Sequence, residues 1–398
     1  MPETGSASRV TRDEYLDRAR SLVPAVRERA AAAEEMRRMP DETIQDFKDA
    51  GLFRGIQPAR WGGYELDPKT FYEAVVEIGR ADASAAWVLA VVGVHNWHVG
   101  LFPLEAQREV WGEDTNVLVA SSYAPIGKVE HVEGGFRLSG RWSFSSGTDH
   151  CDWLLTNSIA ADPDDPSRRH GYTFLVPRRD YQIVDDWNVA GLSGSGSKTF
   201  VINNAFVPEH RTIGITATRE LRTPGIEVNP SPLFKCPQMS VFLWAVSAPM
   251  IGVAQGMLDL YLEQAERRIA GNPKAPLLQD AFAHEAIAKA SMDIRSARLR
   301  LAADLDEMLC MAKDGSPFPT TDRTRWRWGA AYCVETSLRA VDLLFETAGG
   351  FSIHRDNPMQ RMFRDAHAMR AHASNNVKKA AEGYGRSLLG LPDESGIL

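Results

Sequence analysis

Cysteine is scarce in this chain. Its 398 residues hold only four, Cys151, Cys236, Cys310 and Cys333. No pair of them has the short interval of a metal ligand set or a redox motif. That excludes a disulfide scaffold and implies reduced thiols in a cytoplasmic protein. A basic block is missing too. Lys and Arg number 45 against 52 Asp and Glu, for a net charge of -7. The two signs are mixed throughout, so nucleic acid is not an expected partner. Met1–Arg9 is polar, with no apolar stretch to form a signal peptide. Neither an internal repeat nor a nicotinamide Gly-x-Gly-x-x-Gly fingerprint is present. Gly191–Ser197 is glycine-rich, but it lacks the lysine and flanks of a phosphate-binding loop and reads as a turn. Long apolar runs are likewise absent, with one exception, Val241–Leu258. That run contains Pro249, Gly252, Gln255 and Gly256 and leads straight into charged residues. A helix buried within a bundle is expected there, not a membrane span.

What is present falls into blocks. At 44% hydrophobic and 24% charged the composition is that of an ordinary globular protein. Residues 1–115 read as helices, opened by a capping box at Thr11 and Glu14. From 116 to 211 short β-branched and aromatic runs alternate with turns. They are Val117–Tyr123, Lys128–Glu133, Phe136–Trp142, Trp153–Ala160, Tyr172–Val176, Gln182–Trp187 and Thr199–Val207. Such spacing predicts a small barrel or sandwich, with the charged Asp162–Arg169 loop exposed. Residues 212–239, with four prolines by Pro237, read as a connecting loop. Residues 240–398 hold four long helical stretches, roughly Ser240–Ala270, Leu277–Lys313, Asp322–Ala348 and Pro358–Leu389. With short links between them, including Gly271–Pro276, they predict a four-helix bundle. The expected fold class is mainly α with a central β-domain.

One stretch stands out for chemistry. Gly140–Asp152 reads Gly-Arg-Trp-Ser-Phe-Ser-Ser-Gly-Thr-Asp-His-Cys-Asp. Gly134-Gly135 before it marks a hairpin turn. An aromatic face beside hydroxyl donors suits a flat ring rich in heteroatoms, because stacking holds the ring and hydrogen bonds orient it. On the residues alone, a strand edge with surface serines accounts for the stretch as well.

The order of blocks resembles the acyl-CoA dehydrogenase fold over nearly the whole chain. In that family a flavin lies between the β-domain and the bundle, and the bundle assembles a homotetramer. Gly140–Ser146 resembles the family's strand motif. The match implies that Phe144 flanks the flavin and that the Ser146 hydroxyl meets ring atom N5, with Tyr123 and Ser145 as further flavin neighbours. Phe345–Gly350 and Arg364-Asp365-Ala366 resemble two later motifs. The first, with Gly349 and Gly350, reaches a flavin in a neighbouring subunit. Many dehydrogenases carry a catalytic Glu shortly after Arg-Asp-Ala, but here Ala373 occupies that position. Without a general base, dehydrogenation forgoes roughly 10²–10⁴-fold in rate.

The chain is more similar to a branch of this fold that uses reduced flavin and dioxygen, the oxygenase components of two-component aromatic hydroxylases. Gly93–His98, Val110–Asp114, Ser121–Pro125, Trp142–Gly147 and Arg364–His372 carry that resemblance. It implies reduced FAD or FMN from a separate NAD(P)H-dependent reductase. It also implies a flavin C4a-hydroperoxide that passes one oxygen to a phenol, fused ring or indole. His95, Ser121 and His372 correspond to residues that contact substrate, and Arg267 resembles an arginine near the flavin. Ser193 stands where relatives commonly have Arg.

The chemistry suits these residue types. A neutral imidazole is the natural acceptor for a phenol's proton near pH 7, and His372 is a candidate. On a continuous helix Ala368, His372 and Asn376 share a face, leaving Asn376 to orient the ring. Each residue also has a plainer reading. His372 fits a helix surface, His95 and His98 fit a satisfied core, and Ser121 fits an ordinary strand. Two rival functions stay open: an acyl-CoA dehydrogenase-like oxidoreductase, and a flavin-binding scaffold without turnover.

Overall fold

Thr11 opens the first helix with the expected reciprocal cap. Its hydroxyl accepts from the Glu14 amide at 3.3 Å while the Glu14 carboxylate accepts from the Thr11 amide at 2.8 Å. The computed structural model describes residues 10–162, 165, 167–271 and 276–392. Met1–Arg9, the prolines of the Asp162–Arg169 loop and most of the Gly271–Pro276 link lie outside the described residues. Helices α1 (Arg12–Met36), α2 (Asp41–Asp49), α3 (Pro68–Gly79), α4 (Ala83–Val99) and α5 (Leu104–Trp111) come first. Asp67 and Asp82 cap α3 and α4, each accepting an amide three residues on at 2.8 Å. Every residue of α4 is buried. A helix apolar on all sides must be enclosed, so the polar residues it does carry need partners or a purpose.

The strands are β1 (Val119–Val132), β2 (Gly135–Ser145), β3 (Trp153–Ala161), β4 (Arg169–Pro177), β5 (Gln182–Val184), β6 (Lys198–Pro208) and β7 (Thr212–Gly214). They form one sheet of order β5-β6-β2-β1-β3-β4-β7. Its end strands, β5 and β7, do not pair with each other among the described residues, so the barrel-like layer is open. Two runs read separately in the sequence are one long β1. It pairs in parallel with β3 at its start and antiparallel with β2 at its end, and the register shifts between Ser122 and Gly127. Gly127 is required at that bend, since a Cβ there would lie 2.2 Å from the Trp142 ring. Gly134, at φ +75°, turns β1 into β2. The connection after β6 is more structured than its prolines suggest. It supplies β7 and two short helices, α6 (Ile215–Arg219) and α7 (Pro224–Val228).

The bundle contains α8 (Gln238–Gly271), α9 (Ala281–Asp314), α10 (Thr320–Thr347), α11 (Pro358–Arg370) and α12 (Val377–Leu388). Helix α8 holds the apolar run, and its most hydrophobic window is 94% buried. Gly252 and Gly256 let it press on α3. A Cβ at Gly252 would meet the Val76 carbonyl at 2.4 Å, and one at Gly256 the Arg80 carbonyl at 2.5 Å. The expected helix Pro358–Leu389 is broken between Arg370 and Val377. Asn375, fully buried, spends its side chain on tertiary bonds. Its amide donates to the Val246 and Met369 carbonyls, both at 2.9 Å, and its oxygen accepts from the Ser247 hydroxyl at 3.1 Å. Those bonds favour a turn over continued helix. Ala368, His372 and Asn376 therefore do not share a helix face, and Asn376 caps α12 instead, accepting from the Lys379 amide at 3.1 Å.

Candidate active site

Helix α4 forms the back wall. Trp87, Val91 and His95 recur at intervals of four, so they lie on one face, with Trp87 and His95 about 12 Å apart along the axis. At the Trp87 end, its indole N–H donates to the Ser146 hydroxyl at 3.0 Å. The His372 ring meets the indole edge at 5.6 Å between centroids. Ser146 continues into Ser197, which continues into Ser195, each oxygen pair 2.7 Å apart. Beside Ser146, the Phe144 ring is 65% exposed and packs edge-on against Trp187 at 5.3 Å. Ser145 is fully buried and its hydroxyl has no partner among the described residues.

At the other end of the wall, His95 Nδ1 lies 2.7 Å from the Val119 carbonyl. A carbonyl only accepts, so Nδ1 carries the proton and Nε2 is a bare acceptor. Nε2 is buried with no partner among the described residues. Burial lowers the His95 pKa to about 4, against a smaller lift from the Val119 carbonyl, so the ring is neutral. His98 Nδ1 meets the Tyr123 hydroxyl at 2.7 Å, and burial takes that imidazole down to about 3. Burial raises the Tyr123 phenol well above its usual range, and Ser121 on the same strand face offsets part of the rise. Phe242 of α8 stacks on His95 at 6.4 Å. One turn further along α8, Val246 and Ser247 hold Asn375, so a single helix fixes both ends of the site.

His372 caps the turn after α11. Its Nδ1 accepts from the Ser374 amide at 3.2 Å, which leaves the proton on Nε2. Burial lowers its pKa to about 4. His95 and His372 are thus two neutral imidazoles of opposite polarity, one presenting an acceptor and the other a donor.

Comparison with known proteins decides the family. Models of the acyl-CoA dehydrogenase N-terminal and C-terminal domains match residues 11–115 and 244–377. The oxygenase subunit HsaA, a flavin-dependent monooxygenase of Rhodococcus jostii (strain RHA1), is 39% identical over 378 residues, covering 95% of this chain and 98% of that one. The chain belongs to the flavin-dependent monooxygenase oxygenase subunits. Among its relatives, the oxygenase component of p-hydroxyphenylacetate 3-hydroxylase from Acinetobacter baumannii is 32% identical over 382 residues, covering 95% of this chain and 90% of that one. The structure of XiaF from Streptomyces sp., in complex with FADH2 and glycerol, superposes with a TM-score of 0.87 at 28% identity over 96% of each chain.

In this monooxygenase the residues expected from sequence form two groups. Tyr123, Ser121, His95, Phe144, Ser145, Ser146 and His372 gather around α4 and the ends of β1 and β2. Arg267 does not join them within one chain. It lies 25 residues beyond Phe242, about 37 Å along α8, exposed and paired with Glu263 at 3.5 Å. The exposed turn at Gly349 and Gly350 belongs to that far end, because Arg268 donates to the Ala348 carbonyl at 3.1 Å.

Sequence reasoning missed Trp87, Phe242, Ser195, Ser197 and Asn375. The four-residue spacing from Trp87 to His95 was a usable signal. The serines of the Gly191–Ser197 turn carried none, because their contacts are set by α11. Asp365 accepts from the Leu192 amide at 2.6 Å, Arg364 donates to the Ala190 carbonyl at 2.7 Å, and a Cβ on Gly191 would sit 2.4 Å from the Arg364 carbonyl. Burial lifts the Asp365 carboxyl to about 7.

Proposed function

We propose that this enzyme uses dioxygen and reduced FAD or FMN, supplied by a separate NAD(P)H-dependent reductase, to hydroxylate an aromatic ring, a phenol above all and otherwise a fused ring or indole. The residues present suit a flavin: an exposed Phe144 face lies beside a Ser146 hydroxyl that keeps one lone pair free. Reduced flavin, when bound, would activate dioxygen so that one oxygen atom goes to the ring and the other leaves as water; everything else falls to the protein. Phe144 and Tyr123 form walls, Ser146 holds the ring edge, and Ser145, expected beside the flavin, is fully buried behind the strand.

The observation that carries the phenol reading is the opposed pair of imidazoles. His95 Nε2 accepts the phenol's proton as oxygen is delivered to the ring. Ser121, on the His95 side, holds the oxygen as it gains carbonyl character, and His372 Nε2–H, at the Trp87 end, is a further donor to the bound substrate. This reverses the role expected for His372, because the Ser374 amide occupies the nitrogen that would act as base. Dehydrogenation finds less support. Ala373 offers no carboxylate, and Asp365 is committed to the Leu192 amide.

The exposed Arg267 and Gly349-Gly350 group is assigned to the flavin of a neighbouring subunit in a cytoplasmic homotetramer. In this reading the helices before 115, the strands of 116–211 and the bundle from 240, joined through 212–239, act as three walls.

The test mixes the anaerobic complex of reduced FAD or FMN with dioxygen and a panel of phenols and indoles. A product heavier by one oxygen atom is expected; hydrogen peroxide alone across the panel would leave a non-catalytic flavin scaffold. His372→Ala is expected to cut product formation roughly tenfold or more, the cost of a lost hydrogen bond to developing charge. Flavin affinity should barely change. Equal loss of product and flavin binding would make His372 structural.

A further inference from the structure

We infer that Ser195 and Ser197 are positioning residues that fix the direction of the Ser146 hydroxyl and thereby select reduced over oxidised flavin. The inference rests on the reading that flavin lies against Phe144 and Ser146.

The direction follows from the fixed end of the chain. Ser195 Oγ lies 2.7 Å from the Leu192 carbonyl, which can only accept, so the single Ser195 hydroxyl proton points there. Ser195 must then accept from Ser197, 2.7 Å away. With its own proton spent, Ser197 must accept from Ser146, again at 2.7 Å. The Trp87 indole can only donate, and it fills one lone pair of Ser146. Ser146 is left with no free proton and one free lone pair.

That lone pair discriminates between the two states of a flavin. Atom N5 of oxidised flavin carries a lone pair and needs a donor, whereas N5 of reduced flavin carries a hydrogen and needs an acceptor. Ser146 as oriented repels the first and accepts from the second.

The arrangement is stiff. Ser195 is fully buried and Ser197 nearly so, which excludes water as an alternative partner. The Gly147 amide donates to the Ser195 carbonyl at 2.9 Å, tying the two loops together. The Leu192 carbonyl also receives the Trp187 indole N–H at 3.1 Å. Reversing the chain would leave a hydroxyl and a carbonyl oxygen 2.7 Å apart with no proton between them.

The test is anaerobic titration of the full chain with FAD and FMN, each oxidised and reduced, scored as the ratio of the two dissociation constants. The unaltered enzyme should bind the reduced form more tightly. In Ser197→Ala the Ser146 hydroxyl is free to turn and donate to N5, so the ratio should fall by about tenfold, the worth of one hydrogen bond. Ser195→Ala frees the Ser197 proton and should lower the ratio in the same way. Ser197→Thr, which keeps the hydroxyl, should restore it. A merely structural role would weaken both flavin states together. An unchanged ratio in both alanine variants overturns the inference while leaving the flavin site intact. Failure of the unaltered chain to bind either state overturns the flavin site itself.

Discussion

His95→Ala is expected to lower ring hydroxylation by roughly 10²- to 10⁴-fold, the range for losing a proton acceptor in the transition state, while reduced flavin still binds. A buried imidazole with a pKa near 4 is far too weak a base to ionise a phenol of about 10 in advance, a step uphill by about 8 kcal/mol. It does not need to do so. As the new carbon–oxygen bond forms, positive charge develops on the ring and the phenolic proton becomes strongly acidic. A weak, correctly aimed acceptor is then sufficient, and its low pKa keeps it unprotonated beforehand.

Two consequences separate this from a packing role. The rate should be flat through neutral pH and fall only as the pH drops towards 4, where the ring protonates and loses its lone pair. A limb near 6.5, the ordinary imidazole value, would contradict the buried, single-tautomer state. His95→Gln keeps a hydrogen-bond acceptor but cannot take a proton, so it should stay close to the alanine variant. Near-normal rates in His95→Gln would reduce His95 to an orienting group.

The sequence disclosed the parts of this site more readily than their assembly. Thr11 with Glu14 and Gly134-Gly135 mark element ends through local chemistry, and those features formed as expected. The aromatic and hydroxyl residues of Trp142–Gly147 were legible for the same reason: they are adjacent in the chain. The break after Arg370 was not. Nothing local forbids a helix through His372-Ala373-Ser374, and what ends it is the bond from Asn375 to α8, 129 residues away. The helix face expected to carry His372 went with it, and its ring tautomer is set by the Ser374 amide that the turn presents. Ser195 and Ser197 were hidden likewise. Their chemistry lies in the direction of a proton, which depends on where Asp365 holds the Leu192 backbone.

Ser146→Ala is expected to divert dioxygen from product to hydrogen peroxide, with the product formed per reduced flavin falling by roughly 10- to 100-fold. That corresponds to losing one hydrogen bond at a site where charge develops, about 1.5–3 kcal/mol. The half-buried Ser146 hydroxyl lies two residues from the exposed Phe144 ring, and Trp87 and Ser197 hold it from two sides at 3.0 and 2.7 Å. Removing it takes away the acceptor for N5–H and strands the Trp87 indole N–H, which would then draw water into a space that apolar walls otherwise keep dry. Water admitted there would favour release of hydrogen peroxide over oxygen transfer to the substrate. Ser146→Thr should retain most of the coupling, because it returns an oxygen to the same position. If Ser146→Ala keeps its product yield, the hydroxyl chain serves only to brace the loops, and protection from water must come from the Phe144 and Trp187 pair instead. Phe144→Ala would then show the larger loss.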